Sequence, residues 1–269
     1  MRTHHETGAL AATRYFINSV AKAFQILEAF SGEVDRLTLT ELASRSGLNK
    51  ATTRRLALTL CDLGYLHQSG VRHFSLTPKD LDLGEHFLQS LSLPDVAQPF
   101  LTDLAARTHE SVNLAVRDAA EVLYVNRIAA AQRILTVNLH VGSRLPLHAT
   151  SLGKALLMDF ERQEVLEVLG DPPWAAYTGS TRTGPDQLLA DLQEARKLGC
   201  AFADGELEAG LRSIASPVRG ANGGIVAAIN ISTHSLRTPL DQLLGPMRLD
   251  LLTTASDMSR ALGYKDGNR

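Results

Sequence analysis

Little in this 269-residue chain can staple it covalently or anchor it in a bilayer. Two cysteines, Cys61 and Cys200, lie far apart, which excludes a disulfide framework and a cysteine metal cluster and points to a reducing cytoplasm. No stretch approaches the ~18–20 unbroken apolar residues of a membrane span. Met1–Arg14 is polar, with His4 and His5, and lacks the apolar run of a secretory leader. Enzyme signatures are missing too. Nine histidines fall in no His-Glu-x-x-His spacing, and no Gly-x-Ser-x-Gly, Gly-x-x-x-x-Gly-Lys or Gly-x-Gly-x-x-Gly occurs. Ser232 and His234 come nearest to a dyad, but two residues apart on a strand places them ~6.6 Å apart at the backbone. No catalytic residue, metal or cofactor is expected. What remains is 44% hydrophobic and 21% charged, enough for a sizeable core in one large or two ordinary domains.

The net charge of −2 discourages a nucleic-acid reading until the charge is located. Residues 1–91 carry ten Lys+Arg against nine Asp+Glu, yet Ser44–Leu56 holds Arg45, Lys50, Arg54 and Arg55 with no acid. Around it the pattern is helical. Val20, Ala23, Phe24, Leu27 and Phe30 form an apolar stripe along Ser19–Phe30, with Ile26 at its margin. Thr40 is expected to cap a short helix stopped by Gly47, and Asn49 a longer one, Lys50–Leu63, with Leu56, Leu60 and Leu63 inward. Helix, Gly-containing turn and helix with a basic start is the helix-turn-helix pattern. Its second helix enters the major groove of double-stranded DNA, so Arg45, Asn49, Lys50, Thr52, Thr53, Arg54 and Arg55 are the expected contacts. Tyr65–Leu76 reads as two strands around Ser69-Gly70, a wing with Phe74 and Leu76 inward, and Arg72 joins the DNA set. The competing reading is a helical subdomain docked on an enzyme, its charges a solvated face.

From Leu93 the pattern predicts helix Asp95–His109, strands Ser111–Arg117, Glu121–Ile128, Ile134–Leu139, Ala201–Asp204, Ile214–Arg219 and Ile225–Thr233, and helices Ser151–Phe160, Pro185–Leu198 and Asp241–Leu262. The expected fold is α+β: an N-terminal winged helix-turn-helix (15–78), a linker helix (79–93), and a mixed, mostly antiparallel sheet flanked by helices (94–265). Three stretches are candidates for a pocket suited to an aromatic or short carboxylic acid. Thr150 or Ser151 starts a helix whose Ser151, Leu152 and Gly153 amides suit a carboxylate, unless it is merely a capped helix. Leu211, Arg212 and Ser213 follow a Gly-punctuated loop in which Arg212 either binds a carboxylate or pairs with Glu206 or Glu208. Asn230, Ser232 and, more weakly, Asn113 line polar strand faces, which is also what a wet face looks like.

The stretches "SVAKAFQILEAF", "LTLTELASRSGLNKATTRRLALTLCDLGYL" and "HFSLTPKDLDLG" resemble the winged-helix domain of IclR-type bacterial transcription regulators. "RLPLHATSLGKALL", "ELEAGLRSIASPV" and "GGIVAAINIST" extend the resemblance over about nine-tenths of the chain. "LDLGEHFLQSLSLPDVAQP" is similar to the branch controlling aromatic-acid catabolism, protocatechuate and 4-hydroxybenzoate regulators included. The resemblance implies operator binding as a dimer or dimer of dimers, with a linker (here Leu81–Leu91) that is either an exposed helix end or a dimer seam. It implies an effector domain with contacts at Ser213, Asn230 and Ser232, and a protein that regulates a catabolic operon without catalysing a reaction. An effector-free DNA-binding protein remains the alternative to a sensor.

Overall fold

The computed structural model describes residues 16–30, 34–70, 72–82, 93–130 and 139–265. The chain divides into two compact units, one ending at Phe87 and the other beginning at Leu88. The expected linker Leu81–Leu91 and strand Ile134–Leu139 lie almost wholly outside the described residues; of the former, Leu81 is in a helical segment and exposed.

The first unit contains α1 (Asn18–Glu28), β1 (Leu37–Thr38), α2 (Leu39–Ser46), α3 (Lys50–Asp62), β2 (Leu66–Ser69) and β3 (His73–Leu76). The three strands form an antiparallel sheet in the order β1-β3-β2. β1 was not foreseen; it pairs Leu37 with Phe74 and Thr38 with His73. Gly47 ends α2 at φ 69°, a left-handed cap that only glycine adopts without strain. The N-cap of α2 is Thr38, not Thr40: its hydroxyl accepts from the Glu41 amide while the Glu41 carboxylate accepts from the Thr38 amide, a complete capping box. Ile26, Leu37, Leu42, Ala57, Leu60, Leu66 and Phe74 make the core. Leu63 and Leu76, expected inward, are exposed, because α3 ends at Asp62 and β3 at Leu76 itself. On α1 the expected stripe is buried at one end only, where Leu27 and Phe30 pack against the core. Ile26 is fully buried, whereas Val20 and Phe24 are half-exposed and continue an apolar stripe with Phe16 and Ile17.

The second unit contains α4 (Leu93–Thr108), β4 (Ser111–Asp118), β5 (Glu121–Ile128), β6 (Arg144–Pro146), α5 (Ser151–Leu156), α6 (Arg162–Leu169), α7 (Pro185–Leu198), β7 (Ala201–Asp204), β8 (Leu211–Arg219), β9 (Ile225–His234), α8 (Leu240–Gln242) and α9 (Arg248–Ala261). The six strands run β6-β5-β4-β9-β8-β7, every described pairing antiparallel. The expected single helix Asp241–Leu262 is broken, since Leu243–Met247 forms a π turn containing Gly245 and Pro246 before α9 begins. One sheet face buries Val112, Leu114, Ile214, Ile229 and Ile231 with Leu101 and Leu104 of α4 and Leu251 of α9. The other buries Ala115, Tyr124, Ala215 and Ala228 with α5 and α7.

α5 lies so close to the preceding loop that a Cβ at Gly153 would sit 2.0 Å from the Leu147 carbonyl oxygen. Gly153→Ala is therefore expected to lower unfolding free energy by about 2 kcal/mol, the usual scale of overpacking, read as a drop in denaturant midpoint. An unchanged midpoint would remove that contact from the account.

Candidate functional site

In the first unit the basic residues gather at the start of α3. Asn49 caps the helix by accepting from the Thr52 amide at 2.9 Å. Lys50, Arg54 and Arg55 are exposed, Thr52 is half-buried, and Arg72 is exposed at the β2–β3 wing. Among the described residues none of these four cations has an acidic partner within ion-pair distance. The positive end of α3 adds to that field. Arg45 reaches back from α2, donating from Nη1 to the Ala29 carbonyl at 3.2 Å. Thr53 is a correction. It is fully buried and its hydroxyl donates to the Asn49 carbonyl at 3.0 Å, so it packs the helix and offers nothing to a partner.

The second unit contains a cavity that opens to solvent at its mouth. Thr150, Ser151, Leu211, Ser213, Asn230 and Ser232, all expected, lie on its wall. Tyr124, Arg127, Leu139, Leu145, Ala149 and Glu206 complete most of the rest. The sheet supplies two polar rungs. Ser213, Ser232 and Ser111 are register partners across β8, β9 and β4. One step along, Arg127 Nη1 donates to Asn113 Oδ1 at 2.6 Å, and Asn113 Nδ2 donates to Asn230 Oδ1 at 2.7 Å. From the helix side Ser151 Oγ donates to Ser213 Oγ at 2.7 Å.

Four expected residues enter differently from how the sequence suggested. Arg212 lies beside Asp204 in the β7–β8 register, pairs with it at 3.0 Å, and is not on the cavity wall, because its neighbours Leu211 and Ser213 take the pocket face. The Gly153 amide donates to its own cap, Thr150 Oγ1, at 3.1 Å, and so is unavailable to a guest. Leu152 has its side chain in the core, leaving only its amide and that of Ser151 for a ligand. Asn113 is fully buried behind the wall, holding Asn230 and Arg127 in place.

Arg127 is the residue that alternation missed. A β-bulge at Val125 shifts the register, so Leu114 faces Asn126 while Ala115 faces Tyr124. Tyr124 and Arg127 consequently share the cavity face, and Asn126 turns away to donate to Gln98 of α4 at 2.7 Å.

Burial sets the electrostatics. It pushes the Tyr124 phenol well above its ordinary range, with Arg127 acting weakly against it, so the hydroxyl stays neutral. Lys154 of α5 is almost fully buried and donates to Glu206 Oε1 at 2.6 Å and Asp191 Oδ2 at 2.7 Å. Burial raises the Glu206 carboxyl, and Lys154 only partly restores it. Burial would raise Asp191 too, but Arg182 and Lys154 together outweigh it and hold that carboxyl low.

His148 Nε2 lies 2.9 Å from the Ala175 carbonyl oxygen, with its ring against Trp174 and Tyr177. Burial pushes its imidazole below the ordinary value, the Ala175 contact opposes that, and Lys154 reinforces it. Below the ordinary histidine value of about 6.5 the unfolded chain therefore holds more protons than the folded one, and stability falls as pH drops through that window. Melting temperature from pH 7.5 to 5 is expected to fall more steeply in the wild type than in His148→Gln; parallel curves would contradict this.

Both units match known profiles: residues 19–70 that of the IclR helix-turn-helix domain, and residues 85–260 that of the bacterial transcriptional regulator IclR C-terminal domain. This chain belongs to the IclR family. It is thus a DNA-binding transcription regulator and not an enzyme. It is 37% identical to the Pca regulon regulatory protein of Pseudomonas putida over 92% of this chain and 84% of that one. It is 33% identical to the p-hydroxybenzoate hydroxylase transcriptional activator of Acinetobacter baylyi over 95% of each. Among solved structures, an IclR homologue of Microbacterium hydrocarbonoxydans complexed with 4-hydroxybenzoate superimposes with TM-score 0.79 at 26% identity, over 91% of this chain and 98% of that one. A transcriptional regulator from Rhodococcus sp. RHA1 reaches TM-score 0.81 at 40% identity, over 92% and 98%. Among the described residues no helix is long and apolar enough to cross a membrane, and no cluster of His, Cys, Asp or Glu could hold a metal ion.

Proposed function

We propose that this IclR-family protein controls an aromatic-acid catabolic operon in the cytoplasm, sensing an aromatic carboxylic acid in the cavity of its second unit. Its operator contacts are Arg45, Asn49, Lys50, Thr52, Arg54, Arg55 and Arg72. Its effector contacts are Arg127, Thr150, Ser151, Leu211, Ser213, Asn230 and Ser232. The working segments are a DNA-binding domain over 15–78, a linker over 79–93 and an effector domain over 94–265. The observation that carries the reading is Arg127: a guanidinium on the wall of a mostly enclosed cavity, oriented by Asn113 and Asn230, matches a carboxylate bidentately. The tyrosine, leucine and alanine walls favour a flat apolar body behind that carboxylate. The names of the Pseudomonas, Acinetobacter and Microbacterium proteins support the aromatic-acid class.

The protein works as a homodimer or dimer of dimers. The exposed stripe of Val20 and Phe24 on α1, with Phe16 and Ile17 just before it, supports this, being an apolar face that a second copy would cover. Acid binding alters operator affinity by its differential affinity for the DNA-competent and DNA-incompetent states. The test is a gel-shift titration on promoter fragments at low salt, with and without benzoate and its hydroxylated derivatives, alongside thermal denaturation. Ligand at about 100 times Kd adds about 2.7 kcal/mol to native stability. No binding to any promoter fragment near its own locus, with or without acid, overturns the proposal.

A further inference from the structure

The cavity wall contains a carboxylate that its own surroundings satisfy on one side only. Glu206 is 4% exposed, and Oε1 accepts from the buried Lys154 ammonium at 2.6 Å. Oε2 is buried with no hydrogen-bond partner among the described residues. The main chain at Glu206 is fixed independently, since Thr181 Oγ1 donates to its carbonyl at 2.6 Å and Thr178 Oγ1 donates to the adjacent Gly205 carbonyl at 2.6 Å. Swinging the side chain out to water would also leave Lys154 short of a partner in a buried site. Oε2 is therefore held in place without an internal donor, and burying an unpaired carboxylate oxygen is costly. The group that relieves it has to arrive with a proton to share. A second carboxylate cannot, and an apolar ring edge cannot.

We propose that Glu206 is a specificity-determining residue of the effector pocket, its Oε2 accepting a hydrogen bond from a hydroxyl of the ligand, so that the site takes hydroxylated aromatic acids in preference to unsubstituted ones. This rests on the carboxylate-binding reading of the same cavity: the acid group meets Arg127, and the hydroxyl meets Glu206. The preference arises mainly from what the unsubstituted acid fails to do, because it closes the cavity over an acceptor that stays unpaired.

Calorimetric titration of the wild-type protein with benzoate and with 4-hydroxybenzoate reads the proposal without a variant. The hydroxylated acid is expected to bind at least tenfold more tightly. In Glu206→Gln the amide oxygen can still accept from Lys154 while an amide nitrogen replaces the charged acceptor, and the ratio between the two acids is expected to fall several-fold. Equal affinities in the wild type, or an unaltered ratio in Glu206→Gln, overturn the role of Glu206 while leaving the carboxylate pocket standing. Failure of both acids to bind the wild type overturns the pocket reading and this inference with it.

Discussion

Replacing Arg54 and Arg55 together with alanine is expected to weaken operator binding by about 100-fold at moderate salt, about 2.8 kcal/mol, while leaving effector affinity within twofold. Each arginine lost from a base or phosphate contact removes on the order of 1–3 kcal/mol. Both side chains are exposed on the first turns of α3, and their truncation breaks no ion pair among the described residues. Where the lost contacts are to phosphate, the slope of log affinity against log salt should shrink by about one per contact. Thr53→Val is the internal comparison. It removes a buried hydroxyl that bonds to the Asn49 carbonyl, so its effect should appear in thermal stability with the salt slope retained. Wild-type affinity in the double variant would move the recognition surface off α3.

The contrast between Arg54 and Thr53 shows how far a one-dimensional pattern reaches. The helix-turn-helix was legible because each signal is local: Asn49 as cap, Gly47 as left-handed stop, apolar residues at helical spacing. Which side of α3 faces inward depends on what α1 and α2 press against it, and the threonine at position 53 falls on that line. The stripe on α1 poses the same difficulty. Its spacing is readable, but a sequence does not say whether a face packs on its own chain, and Val20 and Phe24 are left half-exposed. The Thr38 cap, by contrast, was readable. Thr-x-x-Glu over Thr38–Glu41 is the reciprocal box, whereas Thr40 has Ala43 at the corresponding third position.

In the second unit strict alternation worked wherever the strand is regular. It separates Ile229 and Ile231 from Asn230 and Ser232 on β9, and Arg212 from Leu211 and Ser213 on β8, a strand that begins at Leu211 and not at the expected Ile214. The side-chain charge of Arg212 made it an attractive ligand contact, but a strand's period of two overrides charge in deciding which face a residue takes. On β5 the same rule fails because of the bulge at Val125, an inserted residue that changes the parity between Tyr124 and Arg127. Nothing in Glu121–Ile128 marks it by glycine or proline. The pairing with β4 reveals it.

That reversal of two arginines yields the second large prediction. Arg127→Met is expected to raise the dissociation constant for an aromatic acid by about 100-fold, about 2.8 kcal/mol, the scale of removing one member of a buried charge-assisted pair. Arg212→Ala should change it by less than twofold, because that side chain ends on Asp204 across the β7–β8 register and away from the cavity wall. Part of the Arg127 effect will come through Asn113, which loses its guanidinium donor and with it the restraint on Asn230. Asn113→Ala should accordingly reproduce a fraction of the loss while the guanidinium is still present. The thermal transition of each variant without acid reports whether its second unit is folded. If Arg212→Ala abolished acid binding and Arg127→Met did not, the faces of the sheet would be assigned backwards, and the bulge at Val125 could not be the feature that turns Arg127 towards the ligand.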